Sequence, residues 1–264
     1  MIDIIYTYYN QNVYLTEYFK WVDKFILPEF VDKVNFILID DGSKDFPARD
    51  YLPDLTRIKL DLYEIEEDIP WNLSGGRNLG VYLAKNNNVC YLDLDSILTN
   101  DHIRELFSIN LKEKEIYQFP SYDYKYFDFR RNIYVYNYLP SPFFMRKQDF
   151  LQYPMDEDFC GNWGYENTHW LRVLKKNGFT KKQLKTLITV STRTNVDIKK
   201  LSKTVFSNKE KHSWAKLAGG TNLVRPKPNK TPNRDLLEHK TKILSIPKDI
   251  LRFNYKLVYS NNII

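Results

Sequence analysis

The stretch "NNVCYLDLDSILTND", residues 87–101, decides how this chain is read. An apolar run (Val89, Cys90, Tyr91, Leu92, then Leu94, Ile97 and Leu98) is interrupted by two carboxylates two residues apart, Asp93 and Asp95. Side chains alternate across a strand, so residues i and i+2 share a face. Two like charges side by side at the end of a buried strand repel each other and lose hydration. Such a pair needs something positive to hold.

Outward from this stretch, strand-like and helix-like segments alternate. Upstream, "SGGRNLGVYLAKNNN" (74–88) reads as a glycine-rich turn followed by a helix, and "RIKLDLYEIE" (57–66) alternates with period two. "VNFILIDDGS" (34–43) is an apolar run of strand length closed by an Asp-Gly-Ser turn signal. Leu15, Tyr18, Phe19, Val22, Phe25 and Ile26 recur at helical spacing until Pro28, and "DIIYTYY" (3–9) is a buried strand. Downstream, Thr99 or Asn100 can cap a helix carrying Ile103, Leu106 and Phe107. The alternation predicts an α/β fold with a mostly parallel sheet flanked by helices. Ligands of such sheets sit beyond the carboxyl ends of the strands, where "DDGS" and "DLDS" both fall.

After Leu111 the character changes. Tyr117 to Phe144 holds 12 Phe or Tyr in 28 residues, with "NIYVYNYL" (132–139) alternating as a strand would. From Gly219 the chain reads "GGTNLVRPKPNKTPNRD", an extended composition. The final "KILSIPKDILRFNYKLVYS" (242–260) is expected as a short helix docking back on the body. This divides the chain into a domain at 1–218, with a nucleotide half to about 110 and an acceptor half at about 111–218, and a basic extension at 219–264.

Composition removes several classes. Cys90 and Cys160 are the only cysteines, too few for a disulfide framework or a cysteine-based zinc site. No apolar run approaches the ~20 residues of a membrane span. "MIDIIYTYY" lacks a basic n-region, so a cytoplasmic protein is expected. The net charge of +6 is uneven: from Leu201 onward 13 Lys+Arg face 4 Asp+Glu, leaving the first 200 residues at −3. A basic tail on a mildly acidic body suits an anionic partner, such as lipid headgroups at a membrane surface or an anionic glycan, or is simply a solvated face. It carries no nucleic-acid-binding motif, so no nucleic acid is expected.

Asp-x-Asp at a strand end offers hard oxygen ligands to Mn²⁺ or Mg²⁺, which also favour phosphates. Alone the motif is weak evidence; three neighbours strengthen it. "NFILIDDGSKD", "SGGRNLGVYLAKNNNVCYLDLDSILTND" and "GNWGYENTHWLRVLKKNG" follow one another in an order and spacing similar to family 2-like glycosyltransferases of the GT-A fold. The resemblance covers residues 1 to about 180, and the Gly-Tyr-Glu-Asn at 164–167 is galactosyltransferase-like.

That resemblance implies roles. Asp41 would bind the base of a donor nucleotide, with Thr7 and Tyr8 touching base or ribose, although "YTYYN" replaces the usual Pro-Thr-Tyr-Asn. Gly75 and Gly76 would admit a ligand to the backbone, and Arg77 would pair with an anion. Gly80 is better read as allowing close helix–sheet packing. Asp93 would contact ribose or a metal-bound water, Asp95 would ligate the metal, and His212 is a candidate late ligand. Glu166 would be the general base on an acceptor hydroxyl. Because Asn167 stands where the family tends to have Asp, the base could instead be Asp156, Glu157 or Asp158, or be absent, and a retaining reaction stays open. Trp163 and Asn167 are acceptor-binding candidates, the latter alternatively a helix N-cap, and Gly178 is expected to end the helix after Glu166.

The implied activity is transfer of one hexosyl or N-acetylhexosaminyl unit from a nucleotide-diphosphate sugar, UDP by default, to a glycan or lipid-linked acceptor, as in polysaccharide biosynthesis. Processive relatives carry Gln-x-x-Arg-Trp and membrane helices, and neither occurs here. The rival readings are a non-catalytic nucleotide- or glycan-binding module and, less well supported, a sugar-phosphate nucleotidylyltransferase. The latter class has a glycine-rich loop after its first strand, whereas this strand runs into "YYNQNVY".

Overall fold

The computed structural model describes residues 1–69, 72–94, 96–128, 133–159, 166–186, 188–190 and 254–261 of the 264. Strand β1 (Ile2–Tyr8) leads through helices α1 (Asn12–Phe25) and α2 (Pro28–Val31) to β2 (Val34–Asp40). Helix α3 (Ala48–Tyr51) precedes β3 (Leu60–Ile65), and α4 (Leu73–Leu83) crosses back to β4 (Asn88–Asp93). The short β5 (Ser96–Ile97) and α5 (Asn100–Ser108) close the first half. The second half holds the long strands β6 (Glu115–Asp128) and β7 (Ile133–Arg146), helices α6 (Lys147–Gln152) and α7 (Glu166–Lys176), and strands β8 (Thr180–Gln183), β9 (Thr189–Val190) and β10 (Tyr255–Ser260).

Eight strands form one sheet in the order β10-β3-β2-β1-β4-β7-β6-β8. The pairs β3–β2, β2–β1, β1–β4 and β6–β8 are parallel, while β10, β7 and the β6–β7 pair are antiparallel. The expected mostly parallel α/β layer is therefore present. The first three strands step outward from β1, and α4 then carries the chain to β1's other side. The strand order reverses between β1 and β4, the place where open α/β sheets bind ligands.

Parity decides which side chains meet there. Ile4, Tyr6, Tyr8, Phe36, Leu38, Cys90 and Leu92 face one core with α1 and α5. Ile5, Ile37, Ile39, Val89 and Tyr91 face the other, with Leu79 of α4, Phe150 of α6, and Trp170 and Leu174 of α7. Thr7, which pairs with Asp93, therefore lies on the α4 side, and Tyr8 on the other.

Two expectations change. The glycines of "SGGRNLG" are not a turn before the helix: α4 begins at Leu73 and contains them. A Cβ at Gly80 would collide with Ile5 Cγ2, and one at Gly76 would stand 2.9 Å from Thr7 Cγ2. Gly80 thus allows close helix–sheet packing, as expected, and Gly76 serves the same contact rather than a ligand. Residues 255–260 form a strand on the edge of β3, not a helix. Asn254 donates to Glu67, and Asn261 accepts from Leu60 N–H at 2.6 Å and donates to Ile58 O at 2.8 Å, pinning both ends. Among the described residues no helix is long and apolar enough to cross a membrane. Residues 191–253, with most of the basic tail, lie outside the described residues.

Candidate active site

The turn after β2 sorts its two acids. Asp40 accepts from Ser43 N–H at 2.9 Å and Ala48 N–H at 2.7 Å, so both its oxygens hold the turn. Gly42 sits at φ +71, and a Cβ there would strike the carbonyl of Glu67. Asp41 has the opposite parity and turns toward the N-terminus of α4, where Asn72 Nδ2 donates to its Oδ1 at 2.9 Å. Burial pushes the Asp41 carboxyl up to about 7 against that hydrogen bond, and the charges of Asp40 and Asp68 add to the rise.

At the end of β1, Tyr8 is buried in the α1 core, its hydroxyl donating to Phe46 O at 2.5 Å. Its neighbour Tyr9 is exposed and donates to Asp68 Oδ1 at 3.1 Å. Of the two rings at this point, Tyr8 is buried on the α1 side of the sheet and Tyr9 is exposed just beyond the strand.

Asp93 ends β4 with its side chain one-third exposed. Its Oδ1 accepts from Tyr91 Oη at 3.0 Å and from Arg77 Nη2 at 3.2 Å; among the described residues nothing donates to Oδ2. Arg77 is fully buried. Nη2 also donates to Ser141 Oγ, Nη1 donates to Asn167 Oδ1, and the guanidinium lies 4.3 Å from the centre of the Tyr91 ring. Burial works against the Arg77 charge, but Tyr91, Asp93 and Glu166 outweigh it and raise its pKa above the ordinary value. The anion that Arg77 was expected to pair with is thus supplied by the protein.

The second half of the described chain meets the same arginine. Glu166 opens α7 and is buried, and its charge acts on Arg77. Asn167, in the first turn, gives its amide oxygen to Arg77, so it is neither the N-cap nor open on that side. Gly178 at φ +84 follows the end of α7 and donates its N–H to Lys175 O, the expected termination. Glu157 is held by Asn78 Nδ2 at 2.8 Å, and Asn78 also exchanges two hydrogen bonds with the Met155 backbone. Asp95, Trp163 and His212 lie outside the described residues.

The profile of glycosyl transferase family 2 matches residues 3–169, more than half of the chain. This chain belongs to glycosyl transferase family 2. A comparison with curated proteins found no match. Among solved structures, the mannosyltransferase PcManGT from Pyrobaculum calidifontis, in complex with GDP-Man and Mn²⁺, is similar over 72% of this chain and 56% of its own, at 13% identity and TM-score 0.52. Residues 1–349 of S. aureus TarS with UDP-GlcNAc share 14% identity over 72% of this chain and 58% of that one, TM-score 0.51. GalNAc-T7 with UDP, GalNAc and Mn²⁺ gives 14%, 72%, 42% and 0.51. The family 2 chain thus spans between 42% and 58% of these three proteins, and at such identities they show the GT-A fold.

Within this family 2 site, four participants escaped the sequence reading. Tyr91 could have been found, since it stands two residues before Asp93 on the same strand face. Asn72 and Tyr9 adjoin motifs already singled out. Ser141 has no local signal, because its place depends on β7 pairing with β4.

Proposed function

We propose that this chain transfers one sugar from a nucleotide-diphosphate sugar to a hydroxyl of a glycan or lipid-linked acceptor, with inversion. The observation that carries the proposal is that buried Arg77 bonds both the donor-side acid Asp93 and Asn167, the residue next to the acceptor-side acid Glu166 at the start of α7. Asp41 and Tyr9, at the ends of β2 and β1, are the contacts for the base, with Thr7 beside them. A UDP-sugar is the first donor to try, since two of the three structures above contain UDP or a UDP-sugar; the GDP-Man of the third keeps GDP in the panel.

Among the described residues no three His, Cys, Asp or Glu side chains converge as a metal would require. The donor chemistry nevertheless fits a hard cation: Asp93 at the strand end presents an oxygen that takes no donor from the described residues, and Asp95 follows two residues later. Asp93 and Asp95, with His212 as a further ligand, would hold Mn²⁺ or Mg²⁺. When bound, the ion would neutralise charge growing on the leaving diphosphate. Glu166 takes the acceptor proton at its carboxylate while Asn167, fixed by Arg77, holds the first turn of α7 in place. General-base help is worth roughly 10²–10⁴-fold, so Glu166→Gln should lower kcat by that range in a sugar-transfer assay while leaving donor affinity in place.

Thermal melting with UDP, GDP, dTDP or CDP, each with and without Mn²⁺, tests the donor site. A nucleotide at 100 times its Kd stabilises the fold by about 2.7 kcal/mol. One nucleotide should raise the melting temperature, in a manner that requires both Mn²⁺ and Asp95. No shift with any of the four removes the donor reading. Binding without turnover, with Glu166→Gln no different from the parent, would instead favour the non-catalytic module.

A further inference from the structure

Tyr91 is a buried tyrosine whose hydroxyl is inserted between two strands, and nothing in packing alone asks for that hydroxyl. The ring is fully buried against Phe143, with centroids 5.5 Å apart and planes at 22°, and the Arg77 guanidinium covers it. A phenylalanine would fill the same volume. The hydroxyl lies 2.7 Å from Thr7 Oγ1 on β1 and 3.0 Å from Asp93 Oδ1 on its own strand.

The proton order in this relay follows from its end. An ionised carboxylate can only accept, so the single Tyr91 proton goes to Asp93 Oδ1. The bond between Thr7 and Tyr91 must then be donated by Thr7, whose hydroxyl has no second proton to offer. With Arg77 Nη2 also on Oδ1, that oxygen carries two donors, and the carboxylate can present only Oδ2 outward. Both donors hold Oδ1, so the carboxylate cannot turn that oxygen outward without losing them.

We infer that Tyr91 is a positioning residue for the donor site: its hydroxyl fixes the Asp93 carboxylate with Oδ2 toward the ligand. The inference rests on the proposed donor-site function and deepens it. Losing a hydrogen bond to a charged group weakens the arrangement by about tenfold, and the Thr7 hydroxyl that loses its acceptor is partly exposed and can turn to solvent. Tyr91→Phe removes the hydroxyl and keeps the ring under Arg77, so the fold is expected to survive.

Calorimetric titration of UDP, GDP, dTDP and CDP, each with and without Mn²⁺, tests this in the parent and in Tyr91→Phe, with melting temperature as the control for folding. The parent should bind one nucleotide more tightly with Mn²⁺ than without it. In Tyr91→Phe that metal-dependent gain should shrink about tenfold, while metal-free affinity changes less than twofold. A purely structural tyrosine would weaken both arms together, and an irrelevant hydroxyl would leave the gain intact; either result overturns the inference while the donor reading stands. Failure of the parent to bind any of the four nucleotides under any condition overturns both. Tyr91→Trp, which overfills the same slot, should lower the melting temperature whichever role is true, so a Tyr91→Phe protein that melts like it would assign Tyr91 to packing.

Discussion

At the scale of single residues, the site is set by which carboxylates are left unsatisfied. Asp40 is spent on its own turn, whereas Asp41 is buried against Asn72 as its donor with two acidic neighbours. An acid raised from 3.8 to about 7 by folding binds more protons folded than unfolded between those values. Stability therefore falls as pH rises from about 4 to about 7 and levels off above. Asp41→Asn removes this penalty while keeping the shape. In urea denaturation its stability relative to the parent should improve from pH 5 to pH 8 by about 2–3 kcal/mol, following 1.36 kcal/mol per unit. A difference that stays constant with pH would show that Asp41 does not titrate in this range. The strain has the form expected of a binding residue, since a donor group on the base would take the place of the missing solvation.

At the scale of elements, the sequence announced most of the architecture. Apolar runs of strand length gave β1, β2 and β4, helical spacing gave α1, and Thr99 caps α5 as expected, its N–H donating to His102 Nδ1 at 3.1 Å. What local pattern could not show was which element each special residue faces. The glycines of α4 looked like a turn because glycine is weak in helices, yet Gly76 and Gly80 lie one turn apart on the face that meets β1. Arg77 looked like an exposed ligand group because arginine is seldom buried. Its burial depends on Asp93, Ser141 and Asn167, drawn from three other elements spread over 75 residues, and no window of sequence holds them together. Asn78, next in the chain, ties α4 to the segment at 155–157 in the same way. The Arg-Asn pair of the motif thus joins α4 to β7, to the 155–157 segment and to α7, a role visible only after the chain has folded.

At the scale of the whole molecule, the last described segment returns to the far edge of the sheet, on β3. β10 pairs antiparallel with β3, with Val258 and Tyr259 packed on the core behind it and Leu257 exposed. It covers the backbone edge of β3, which would otherwise present unpaired N–H and C=O groups beside an apolar strand. Removing residues 254–264 should therefore leave the donor region in place, because β2 and β1 stand between β3 and β4. The shortened chain should still bind its nucleotide with unchanged affinity. It should melt a few degrees lower and associate with rising concentration in sedimentation or light scattering, as an uncovered edge finds partners. A truncated chain as monomeric and as stable as the full one would mean that β10 is not what protects this edge. Loss of nucleotide binding would instead tie the C-terminal strand to the site through the turn at Glu67, which β10 clamps through Asn254 and which lies against Gly42.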